Sequence, residues 1–227
     1  MGKRKKRPEA CGYCGQPATT RDHVPPRCVF PSPRPSDLIT VPACGSCNNL
    51  TSEDEEYFLN VLLSHRHADG VPAAEQLRAE RISLQRTPRR LKIARTMLSS
   101  MDLIEIRTAA GLYVGHRHRL SLDLPRLERA VCKIVRGLYY HEYREAAPPD
   151  RVTRTVMDPV DRQIAHPMVQ HVLVNGRGRK VGEDVFDYRI LRSADTPGIA
   201  FCAMLFLGRV LVLTWLMRSE TAPPLGG

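Results

Sequence analysis

Residues 11–15 read CGYCG and residues 44–49 read CGSCNN. Each is a pair of cysteines with two residues between them, the spacing of a knuckle that turns two thiolates toward one ion. Gly12, Gly15 and Gly45 ease the tight backbone. The two knuckles, Cys11 with Cys14 and Cys44 with Cys47, make up a four-sulfur set, the closed form of structural zinc. Such a site has no open position, so the ion would not itself activate water. Its work would be to staple residues 15–43 into a small, loop-rich unit. Any chemistry must come from other side chains in or beside that segment.

Between the knuckles lies TTRDHVPPRC, residues 19–28. Asp22 and His23 are adjacent, and Pro25 and Pro26 stiffen the chain directly after them. An imidazole titrates near neutrality and can take a proton from water. A carboxylate and an amide oxygen are the hard donors that suit Mg2+. After the second knuckle, Asn48 or Asn49 opens NNLTSEDEEYFLNVLLSHRH. In that stretch Phe58, Val61, Leu62 and His65 recur at helical spacing. Ser52 and Glu55 have the spacing of a capping box there, and Glu53 and Asp54 crowd the first turn. His65 and His67 are read as ending that helix.

In the order CGYCG, RDHVPP, CGSCNN, residues 9–66 resemble the HNH endonuclease family in its zinc-stapled form. The resemblance implies two strands and a helix gripping one divalent metal. It also implies His23 as general base, and Asp22 and Asn48 as ligands of a catalytic Mg2+. The family's central Asn, which orients the base, falls here on Asp37. The expected activity is hydrolysis of DNA phosphodiester bonds, with RNA the other substrate. The rival expectation is a zinc ribbon that binds nucleic acid or protein without catalysis.

The rest of the chain bears on partners and class. Lys plus Arg number 34 against 24 for Asp plus Glu, a net charge of +10 in 227 residues, which favours a polyanion. Residues 3–7 are all basic and no apolar run follows, so residues 1–8 are read as a basic tail and not as a secretory signal. Residues 201–217 are apolar, but Gly208 and Arg209 interrupt them. Two buried strands with a tight turn fit better than a membrane span. A cytoplasmic protein is expected. Cys28, Cys132 and Cys202 are read as small hydrophobes.

The expected class is α+β. Residues 67–101 form a helical linker region, with helices at 73–86 and 88–99, the second opened by Thr87 as N-cap. Residues 102–227 form a C-terminal domain: a hairpin turning at Ala110-Gly111, an amphipathic helix through LPRLERAVCKIVRGLYYHEYRE, and short apolar runs at 170–174, 185–191, 199–207 and 209–216 that make an antiparallel sheet. That domain is a candidate homodimer surface. His116 and His118 share a strand face, a weak pattern for a second metal.

Overall fold

The structure is a computed structural model and describes residues 9–83, 88–159, 165–196 and 198–218. The basic tail and Thr87 lie outside the described residues.

The first unit is a short hairpin followed by helices. Strand β1 (Thr20–His23) pairs antiparallel with β2 (Thr40–Ala43), in the register Asp22 opposite Val41 and His23 opposite Thr40. Helix α1 (Gly45–Asn49) starts inside the second knuckle, and α2 (Ser52–Ser64) follows. The N-cap of α2 is Thr51, one residue before the expected Ser52, and its hydroxyl donates to Glu55 Oε1 at 3.0 Å. The Ser52–Glu55 capping box is therefore not formed: the helix begins one residue earlier than that pairing needs, and Glu55 is engaged elsewhere. Tyr57, Phe58, Leu59, Val61, Leu62 and Leu63 of α2 are buried, and His65 is its C-cap.

Helices α3 (Pro72–Ser83) and α4 (Pro88–Ser99) lead to a hairpin of β3 (Met101–Arg107) and β4 (Tyr113–Leu120). Leu103, Leu112 and Val114 of that hairpin region are exposed.

Helix α5 (Leu124–Tyr143) is the spine of the molecule. Asp123 caps it by accepting from the Arg126 amide at 3.2 Å, Pro125 sits in the first turn, and Arg144 ends it with φ 54°. Leu127, Ala130, Val131, Ile134 and Leu138 form its buried stripe. The large aliphatic members each contribute about 1.5–3 kcal/mol by leaving water.

The sheet that α5 covers has five antiparallel strands in the order β5-β9-β8-β7-β6: β5 (Arg151–Pro159), β6 (Lys180–Val181), β7 (Phe186–Arg192), β8 (Ala200–Phe206) and β9 (Val210–Arg218). Strands β8 and β9 are joined by a turn with Leu207 and Gly208 at positive φ, as the Gly208-Arg209 break predicts. The run at 170–174 is not a strand. It lies in helix α6 (Pro167–Asn175), with His166 accepting from the Met168 amide as N-cap and Pro167 in the first turn.

Alternation along the sheet strands separates two layers. Cys202, Met204, Phe206, Val210, Val212 and Leu216 face α5 and the hairpin unit, whereas Phe201, Ala203, Leu211 and Leu213 pack with Val169 and Val172 of α6. The inner layer is continuous with the cysteine-knuckle unit: the Phe58 and Phe206 rings meet edge-on at 5.2 Å. One buried cluster thus runs from Cys11 to Leu216, an α+β arrangement in which α5 joins the halves. Among the described residues no helix is long and apolar enough to cross a membrane.

Candidate metal centre and histidine site

The two knuckles converge. The sulfurs of Cys11, Cys14, Cys44 and Cys47 all lie within 4.8 Å of one another, and Cys14 Sγ stands 3.7 Å from Cys44 Sγ. Tetrahedral zinc with bonds near 2.3 Å requires sulfurs about 3.8 Å apart, so the donor set and spacing fit one such ion. The knuckles meet because β1 and β2 bring their bases together: the Gly12 amide donates to Pro42 O at 2.8 Å and the Thr19 amide to Ala43 O at 3.0 Å. The Cys44 thiol is drawn down to about 6, chiefly by its hydrogen bond with Ser46 Oγ at 3.2 Å, while burial pushes the Cys47 thiol up. Cys28, Cys132 and Cys202 lie apart, and burial raises all three thiols, as expected of packing residues. Among the described residues this is the one cluster of His, Cys, Asp and Glu side chains arranged for a metal, so His116 and His118 do not form a second. His116 Nδ1 instead lies 2.8 Å from the Tyr113 hydroxyl.

His23 ends β1, half-buried, immediately before Val24 and the proline pair. Its pKa is lowered, first by burial and then by the charge of Arg27, with Arg34 adding to the effect against the opposing pull of Asp22. The imidazole is therefore held neutral, the form that accepts a proton. Two guanidinium groups in its vicinity also favour an anion there.

Asp22 is turned inward. Its Oδ2 accepts from the Tyr13 hydroxyl at 2.9 Å and lies 2.9 Å from Lys133 Nζ, while its Oδ1 accepts from the His23 amide at 2.9 Å. Only 8% of the residue is exposed. The strand geometry explains this: adjacent residues face opposite sides, so Asp22 points into the core where His23 does not. Burial and the Asp22 charge push the Tyr13 hydroxyl up, so it remains a donor.

Asn48 lies in α1. Its side-chain amide donates to Thr20 Oγ1 at 3.1 Å, tying the helix to β1, and its backbone carbonyl accepts from Lys133 Nζ at 3.0 Å. Asn49 is exposed. Lys133 also reaches Glu55 Oε1 at 2.6 Å. Of the atoms expected to hold Mg2+, the Asp22 carboxylate is thus engaged by an ammonium group, whereas the Asn48 side-chain oxygen is not among that group's partners, and the backbone carbonyl of Asn48 and the carboxylate of Glu55 stand there instead. As arranged Asp22 does not fit a divalent ion, because both its oxygens already have donors.

Asp37 does not orient His23. Its Oδ2 pairs with Arg179 Nη1 at 3.2 Å, its Oδ1 accepts from the Gly182 amide at 3.3 Å, and its carbonyl accepts from Arg179 Nη2 at 2.7 Å. The carboxylate clasps the proline-rich loop to the β6 region, where Gly182 has φ +65° and a Cβ would come within 2.6 Å of Pro35. Glu53 and Asp54 are also accounted for: Asp54 is clamped by Arg126 and Arg129, and Glu53 lies 3.8 Å from Arg126 Nη2.

Sequence reasoning did not single out Lys133, Tyr13, Arg27 or Arg34. The one available signal for Lys133 is its place on α5, three residues after Ala130 and four before Gly137, a lysine between two small residues beside an apolar stripe. The chain was compared with family models, curated proteins and solved structures, and none matches it.

Proposed function

We propose that the chain is a nucleic-acid phosphodiesterase of the HNH kind, acting on DNA, with His23 as general base and a structural zinc ion on Cys11, Cys14, Cys44 and Cys47. The observation that carries this reading is the placement of a neutral, half-buried imidazole at the end of a hairpin whose two strands are pinned by the four-sulfur cluster. In the reaction, His23 takes a proton from water and the oxygen attacks phosphorus. The P–O bond to the departing 3′ oxygen breaks, and that oxygen takes a proton from solvent. Arg27 and Arg34 supply charge that favours the phosphate, and the net +10 favours the polyanion. No step is assigned to Mg2+, because Asp22 is committed to Lys133, Tyr13 and the His23 amide.

The same commitment favours a second reading, a zinc-stapled module that binds nucleic acid without cutting it. Asp22 and Asp37, two acids that the HNH resemblance would place in chemistry, both neutralise cations of the C-terminal half. Incubating the purified chain with supercoiled plasmid, single-stranded DNA and RNA, with and without added divalent metal, separates the two. Nicking that disappears in His23→Ala while zinc content is retained supports the first reading. Salt-sensitive binding with no cleavage of any substrate supports the second and rejects the first.

A further inference from the structure

We propose that the ammonium group of Lys133 takes the position a divalent metal would hold on Asp22, so that oxygens of Asp22, Glu55 and the Asn48 backbone serve a tethered cation in place of Mg2+. This rests on the HNH reading only in taking Asp22 as a would-be ligand of the metal.

Three oxygens from three elements converge on Lys133 Nζ: Asp22 Oδ2 of β1 at 2.9 Å, Glu55 Oε1 of α2 at 2.6 Å, and the Asn48 carbonyl of α1 at 3.0 Å. Two carboxylates and a carbonyl are the donors a hard cation selects. The remaining capacity of the carboxylates is also used, by Tyr13, Thr51 and the His23 amide. An ammonium has three protons to give, and three acceptors are present.

The approach of the lysine is built into α5. Its side chain is 9% exposed. One turn further on, Gly137 has no Cβ, which would otherwise stand 2.6 Å from Val24 Cγ2, so the helix closes onto the chain directly after His23. Arg136 donates to the Tyr13 carbonyl at 2.6 Å, and a Cβ on Gly12 would fall 2.7 Å from the Tyr140 ring, so the contact continues to the first knuckle. Burial opposes the Lys133 charge, but the hydrogen bond and charge of Glu55, with those of Asp22, outweigh it and the net shift is upward. The group stays cationic at neutral pH. A divalent ion would have to share two carboxylates with a fixed positive charge only a few ångströms away, which is strongly unfavourable in a partly buried site. Lys133 is thus a positioning residue for His23, acting through Asp22, whose Oδ1 holds the His23 backbone amide.

The test is Mn2+ binding to the zinc-loaded full chain, read by electron paramagnetic resonance; Mn2+ does not compete for a four-thiolate site. The wild-type chain is expected to show no stoichiometric Mn2+ site. Lys133→Ala is expected to acquire one, at least about tenfold tighter than any wild-type binding, and to lose it in the Lys133→Ala, Asp22→Asn double variant. A stoichiometric wild-type site that vanishes in Asp22→Asn overturns the proposal, and it does so even if Lys133→Ala fails to fold. A folded Lys133→Ala chain that gains no Mn2+ also overturns it. Neither readout involves cleavage: absence of nuclease activity would reject the HNH reading while leaving the Mn2+ result to judge the tethered cation.

Discussion

Gly137 of α5 and Val24 of the loop after β1 are in contact so close that a Cβ on the glycine would lie 2.6 Å from Val24 Cγ2 and 3.1 Å from the Tyr13 hydroxyl. The side chain of Val24 is buried and the residue adjoins His23, so it cannot move aside without shifting the site.

Gly137→Ala sets two effects against each other. Alanine favours the helix by about 1 kcal/mol. Forcing a methyl into a contact of this length costs about 1–3 kcal/mol. The clash should win, giving a net loss of about 1 kcal/mol and a lower urea midpoint. Gly45→Ala, where nothing lies within 4 Å of the new Cβ, is the control and should shift stability by less than about 0.5 kcal/mol. A Gly137→Ala chain as stable as wild type would show that α5 does not press on this loop.

The contrast between Gly137 and the cysteines explains what could be read from the sequence. Cys11, Cys14, Cys44 and Cys47 announce themselves because a short-range spacing encodes the chemistry, and the structure brings the four sulfurs together. The helices α2 to α5, the hairpin of β3 and β4, and the pair β8 and β9 were legible for the same reason: period and punctuation are local signals. The helix α6 was hidden because an apolar run as short as Val172–Val174 suits a strand as well as a helix, and only His166 and Pro167 before it mark a helix start. Lys133 and Asp37 were hidden for another reason. Their partners lie 78 to 145 residues away, so their roles are set by how α5 and the sheet dock on the hairpin unit. Reading Asp37 as a partner of His23 rested on its place in a family pattern, whereas its actual partners belong to a segment outside that pattern.

Asp54 makes the stability depend on acid. It is buried, and Arg129 donates to it from Nε at 2.8 Å and from Nη2 at 3.2 Å, while Arg126 Nε donates at 3.1 Å. Burial alone would raise the carboxyl pKa, but the two guanidinium groups overcome it and hold the pKa below the ordinary carboxylate value. A carboxyl depressed in the folded state adds stability that is complete above its unfolded pKa, near 4, and is lost as pH falls through the folded value. With Arg129 half in water, the clamp is worth about 1–2 kcal/mol. The difference in unfolding free energy between wild type and Asp54→Asn should be constant from about pH 7 to pH 5 and shrink below about pH 4. Equal differences at every pH would mean that the clamp does not exist in solution.

The four-sulfur cluster should control the fold of the hairpin unit. Strands β1 and β2 have four residues each, too few to stand alone, and most of residues 24–39 carry no strand or α-helix. Closing that loop would be the work of an ion on the four sulfurs, and structural zinc sites supply on the order of 10 kcal/mol in small peptides. The purified chain is expected to carry one zinc per molecule by atomic emission. Cys14→Ser removes an exposed ligand with little change in packing, so its effect isolates the metal bond from the core. It should weaken zinc binding and lower the melting temperature by more than about 10 °C, whereas Cys132→Ser should shift it by only a few degrees. A strong chelator should expose the thiols of all four ligands to a colorimetric reagent together, because losing one sulfur releases the others. Four thiols that react at once in the untreated protein, with a melting temperature that a chelator leaves unchanged, would refute the metal centre and remove the anchor that holds His23 at the end of its strand.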